Sequence, residues 1–158
     1  MNFMKIIRLS IIIIFLSISL INCKKGQVSS VTDSSEKKQW VSIFNGVNLD
    51  NWNVKIKGHR LGVNYKNTFT VHDSVIKVDY SEYDNFNNSF GHLFYKTSFS
   101  NYKMKLTYRF LGEQVKGGEN WALRNSGVMI HCQDPETMEL DQNFPVCVEV
   151  QLLGGLEQ

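Results

Sequence analysis

From Trp40 onward, apolar residues recur at every second position, and no stretch repeats them at the three-and-four spacing of an amphipathic helix. Period two is the signature of a β-strand, whose successive side chains point to opposite faces. "YKMKLTYRF" is the clearest case. Tyr102, Met104, Leu106, Tyr108 and Phe110 fall on one face, and Lys103, Lys105, Thr107 and Arg109 on the other. That pattern predicts a half-buried antiparallel strand with one wet face. "VCVEVQLL" alternates as well: Val146, Val148, Val150 and Leu152 against Cys147, Glu149, Gln151 and Leu153. "WNVKIKG", "HLFYKTSF" and "SGVMIHC" are further predicted strands, and "WVSIF" opens the series before the turn cluster "NGVNLDNW". "FTVHDSVIKVDY" predicts two strands joined at "HDS". "LGEQVKGGENW" is a Gly-rich loop. In "DPETMELDQ" a single helical turn is predicted, because Asp134 is an N-cap type and Pro135 suits the first helical position. The fold class is therefore all-β, with strands at the spacing of a sandwich.

The chain has 158 residues, room for one domain of modest size after a leader. Lys5 and Arg8 precede the apolar run "LSIIIIFLSISLI", which is shorter than the ~20 residues of a comfortable membrane span. It ends at "LINC", which resembles the bacterial lipobox, with Asn22 departing from the small residue usual before the cysteine. The expectation is a lipoprotein signal peptide over 1–22, lipidation at Cys23, and export to the bacterial cell envelope on a membrane anchor. An uncleaved signal anchor is the alternative. Residues 23–39 are polar and Ser/Lys-rich and read as a disordered tether. The domain then spans 40–158. Six of the 17 basic residues but only two of the 15 acidic ones precede Trp40, so the domain itself is slightly acidic. Nothing forms the basic stripe that nucleic-acid binding needs.

Cys132 and Cys147 would then sit in an oxidising setting, either as a disulfide or as two buried thiols. No Cys/His pattern has zinc-site spacing. Chemistry concentrates in "NWALRNSGVMIHC" and in the last strand. Arg124, Asn125 and Ser126 crowd donors into three consecutive positions, and Trp121 offers a stacking surface. Were the two strands neighbours, His131, Glu149 and Gln151 would share one face, with Val128 and Ile130 on the other. A cation, a carboxylate, an imidazole and an amide in one place suit a polyhydroxylated ligand. The plain reading of a Glu or His on a strand is an exposed, inert side chain. His59, His72 and His92 are weaker candidates, Trp40 and Trp52 read as core, and Glu113 and Glu119 as rim or solubilising residues.

"WVSIFNGVNLDNW" resembles the opening motif of the 3-keto-disaccharide hydrolases, a family once labelled DUF1080 and also described as 3-keto-glucoside lyase/hydratases. Ile43 stands where that motif usually has Leu. "RNSGV" and "VEVQLL" are similar to two further signatures of the family, in the same order. The resemblance implies a concanavalin- or LamG-like jelly-roll β-sandwich with a concave, sugar-binding face, incomplete here at its C-terminal end. It implies a glycoside substrate already carrying a ketone at the third ring carbon. A base removes the proton on the second carbon, the anomeric substituent leaves, and water adds back. By that resemblance Glu149 or His131 is the base, Arg124 and Gln151 steady the enolate or ring hydroxyls, and Asn125, Ser126 and Trp121 position substrate. No cofactor is required; a divalent metal on the carboxylate is compatible, but no ligand spacing demands one. A non-catalytic carbohydrate-binding module and a scaffolding lipoprotein are the alternative readings, since this fold hosts several jobs.

Overall fold

The computed structural model describes residues 39–155; the expected signal peptide, Cys23 and nearly all of the tether lie outside the described residues. Among the described residues, all regular structure consists of antiparallel strands and single 3-10 turns. These are the antiparallel elements of a β-sandwich of jelly-roll type. Strand β1 (Trp52–Ile56) pairs with β4 (Gly91–Tyr95), β2 (Phe69–His72) with β3 (Val75–Val78), and β5 (Asn125–Ile130) with β6 (Val148–Leu153).

The local chemistry explains these boundaries. The Asn45 side-chain oxygen accepts from the amides of Val47 (2.9 Å) and Asn48 (3.0 Å), and Gly46 supplies φ +77°. The "NG" of the opening motif is thus a turn-builder that delivers the chain into β1. Asp73 and Ser74 both have positive φ (48° and 59°), as a tight hairpin turn of primed type requires. They join β2 to β3 as the "HDS" signal predicts. Pro135–Thr137 is the expected helical turn, and the Asp134 carboxylate accepts from the Glu136 amide at 3.0 Å.

The core gathers where β1, β2 and β4 meet. Val54, Ile56 and Phe69 are buried, with Leu49, Tyr65 and Leu93 packed against them. Gly91 permits this approach: a Cβ there would lie 3.1 Å from the Phe69 ring and 3.3 Å from Ile56. The other face of β1 is not wet. Lys55 is 2% exposed, and its ammonium donates to the carbonyls of Ile56 (3.3 Å), His59 (3.0 Å) and Leu140 (2.9 Å). Burial pulls its pKa below the ordinary lysine value, with Asp141 opposing.

Two predicted strands are not formed. Residues 102–110 carry no ladder, and Tyr102, Met104, Leu106 and Tyr108 are exposed. The alternation is real, but among the described residues no strand hydrogen-bonds to it. Residues 40–44 are likewise unpaired, and Trp40, expected in the core, is 65% exposed. Trp40, Val41 and Ser42 flank one open groove with Lys105, Leu106 and Thr107, so the two segments are neighbours without being bonded. Trp52 does fold inward, half-buried and edge-on to its cross-strand partner Tyr95 at 5.1 Å.

Candidate functional site

The β5–β6 pair brings the two chemistry-bearing segments together. Its register opposes Asn125 to Leu153, Gly127 to Gln151 and Met129 to Glu149. Since side chains alternate across a strand, these six share one face. Val128, Ile130, Val148, Val150 and Leu152 share the other, as the sequence pattern requires.

On the polar face, the Gln151 amide nitrogen donates to the Asn125 side-chain oxygen and, at 3.2 Å, to the Ser126 carbonyl. Asn125 in turn donates to the Trp121 carbonyl at 2.8 Å. This chain of bonds orients both amides and leaves the Gln151 oxygen available as an acceptor. Glu149 folds across Gly127. A Cβ on Gly127 would overlap the Glu149 carboxylate oxygen and lie 2.6 Å from its carboxyl carbon. The glycine of "RNSG" is therefore the gap that the Glu149 carboxylate fills.

Aromatic rings cluster around Trp121, the residue whose carbonyl accepts from Asn125. Trp121 stacks on Phe90 (centroids 5.8 Å, planes 14° apart), Phe90 meets Phe144 at 4.7 Å, and Phe144 meets His92 at 5.7 Å. Trp121 remains 56% exposed. The His92 ring Nε2 bonds the Asn143 carbonyl at 2.8 Å. Burial pulls its pKa below 6.5, that hydrogen bond opposing. Phe90 and Phe144 were not singled out from the sequence, and His92 was only a weaker candidate there. Phe90 and Phe144 meet Trp121, distant in the chain, and His92 joins the cluster through Phe144.

Three expectations are corrected. Ser126 opposes Leu152 and belongs to the apolar face, so only its carbonyl reaches the polar network. His131 does not continue the strand: β5 ends at Ile130, and His131 turns out of the pleat with φ 53°. The concave, sugar-binding face that the resemblance implies does not shelter the acid and amide here, since Glu149 and Gln151 are both exposed. A cleft lies elsewhere, beside Lys55, His59, Arg60 and Glu136. Its lysine is already held by three carbonyls, so the chemistry is better matched to the open β5–β6 face.

Arg124 stands just before β5, also at positive φ, and its guanidinium donates to the Gly155 carbonyl at 3.0 Å. It lies five residues from Met129, the partner of Glu149, or about 16 Å along the strand. It belongs with Asn125 and Gln151 rather than with the carboxylate. Among the described residues, no group of three or more His, Cys, Asp or Glu side chains could hold a metal ion.

A family model described as 3-keto-alpha-glucoside-1,2-lyase-like domain matches residues 39–158. No curated protein and no solved structure matches the chain.

Proposed function

The chain belongs to the 3-keto-alpha-glucoside-1,2-lyase-like family, and from that premise we propose that its polar β5–β6 face cleaves glycosides bearing a ketone at the third ring carbon. The ketone acidifies the proton on the second carbon. Glu149 takes that proton, and the electron pair moves onto the ketone oxygen as an enolate. The enolate collapses by expelling the anomeric substituent, which leaves an unsaturated sugar ketone. Water then adds to the first carbon and a proton to the second, so the net change is hydrolysis of the glycosidic bond. This differs from two-carboxylate glycosidases, whose transition state is an oxocarbenium ion. It asks for one base and for donors near the enolate oxygen.

The observation that carries this reading is the Glu149 carboxylate over Gly127, on the same face as the bonded Gln151–Asn125 pair. Gln151 and Asn125 bind ring hydroxyls, and Trp121 with Phe90 stacks on a sugar ring. Arg124 serves the Asn125 end of the face. His131, beyond the end of β5, is a less direct candidate for the base. The domain is expected to be carried at the cell envelope by a lipid on Cys23, which Cys23→Ser would remove from the mature protein's mass.

The test is Glu149→Gln in the full chain, assayed on a 3-keto-glucoside. Turnover is expected to fall by about 10²–10⁴-fold, the usual worth of a general base. Unchanged turnover would take Glu149 out of the role. The exposed Trp121 platform favours a second reading, a carbohydrate-binding domain without catalysis. Sugar binding by the native chain with no product from any keto-glycoside would establish it instead.

A further inference from the structure

Beyond the last paired residues of β5 lie two thiols that the proposed chemistry does not use. The ladder register ends at Ile130 opposite Val148. Farther out, the Gln133 amide donates to the Val146 carbonyl at 2.8 Å. Between these fixed points one strand has two residues, His131 and Cys132, and the other has one, Cys147. Two residues facing one is a β-bulge. The left-handed φ of 53° at His131 is the conformation that the first residue of one bulge type adopts. The extra residue slips the register by one, which sets Cys132 across from Cys147 instead of Val146. Directly opposed residues of this kind, next to a hydrogen-bonded pair, have Cα atoms ~4.5 Å apart. A disulfide spans Cα separations of about 4.4–6.8 Å. Both cysteines are free and half-buried, and Cys147 is close enough to raise the pKa of the Cys132 thiol.

We propose that Cys132 and Cys147 form a redox pair, closing to an intramolecular disulfide by exchange with a disulfide-bearing oxidant. One protein thiolate attacks a sulfur of the external disulfide and expels one thiolate from it. The second protein thiol loses its proton and attacks the mixed disulfide, forming the Cys132–Cys147 bond and expelling the other. Two protein thiols are oxidised, one external disulfide is reduced, and the two protons end on the released thiols. Burial and the neighbouring Cys147 push the Cys132 thiol up to about 11, which keeps it protonated near neutral pH and makes closure faster as the pH rises. The bond would close the loop 133–146. That loop holds Leu140 on the Lys55 ammonium and Asn143 on His92, so closure ties the base of the β5–β6 hairpin to β1 and β4. The inference stands whatever ligand the polar face takes.

The experiment uses the full chain, reduced and then equilibrated in glutathione buffers of increasing oxidation. Free thiols are trapped with an alkylating agent and mapped by peptide mass. Cys132 and Cys147 are expected to lose alkylation together, in the monomer. A register control, V146C/C147A, moves the partner thiol by one residue. The native pair should close in buffers at least ~10-fold more reducing than this control needs, a ratio read directly from the exchange equilibrium. Full alkylation of both native cysteines in the most oxidised buffer would overturn the proposal. So would bonds found only between chains, or equally easy closure of the control. If the control does not fold, the mapping of the native chain alone decides.

Discussion

Replacing Gly127 with alanine separates the site from the fold. Gly127 lies in the middle of β5 with no positive φ, so its backbone suits an L-residue. Alanine in a strand gains about 0.5–1 kcal/mol over glycine from reduced chain entropy. Against that stands one clash. The new methyl would lie 2.5 Å from Glu149 Cγ and 2.6 Å from its Cδ, well inside van der Waals contact. Glu149 is exposed, so its side chain can swing to another rotamer. Even an off-rotamer compromise costs only ~0.5–1.5 kcal/mol. The two terms nearly cancel, and urea denaturation should place G127A within about 1 kcal/mol of the native chain. Turnover of a 3-keto-glucoside, in contrast, should fall by about 10²-fold or more, because the carboxylate is driven off the face it shares with Gln151. Full activity in G127A would refute the placement of Glu149 as base. A loss of stability above about 3 kcal/mol would show instead that Gly127 serves the fold.

Trp121→Ala should leave the denaturation midpoint nearly unchanged, since the ring is largely exposed, yet weaken sugar binding by ~1–3 kcal/mol, seen as a raised KM; an unchanged KM would exclude it as a platform. Lys55→Met removes a buried donor from three carbonyls and should cost about 2–4 kcal/mol in urea denaturation, whereas a cost near zero would show that those carbonyls find other partners. His92 binds a proton less readily folded than unfolded, its pKa lying below 6.5. Its contribution to stability is therefore present above pH 6.5 and lost as pH falls through the folded value. His92→Gln should flatten the acid side of the stability profile below that pH; an unchanged slope would assign it to other groups.

The sequence pattern carries some elements to their final form and fails at others for definable reasons. Paired strands flanked by their own turn chemistry are legible. Asn45–Gly46, Asp73–Ser74 and Asp134–Pro135 each settle their geometry within a few residues. The faces of β6 are legible too, because period two leaves only two assignments for Glu149 and Gln151. Residues 102–110 alternate more cleanly than any of these, yet alternation states which side chains share a face, not whether a neighbour is present to bond. His131 failed because one left-handed residue ends the alternation, and nothing in "VMIHC" marks a bulge. Nothing in "WNVKIKG" marks Lys55 as buried. Its burial depends on Leu140, 85 positions away. The aromatic cluster around Trp121 has the same origin, since Phe90, Trp121 and Phe144 meet only once the chain is folded.

The central claim is that this β5–β6 face removes a proton from carbon two of a keto-sugar. Turnover of a 3-keto-glucoside deuterated at that carbon, followed by mass spectrometry of the product, tests it most directly. The account predicts slower turnover than with the protiated substrate and a solvent hydrogen at carbon two of the released sugar. Glycosidic cleavage with the deuterium fully retained and no rate difference would contradict it.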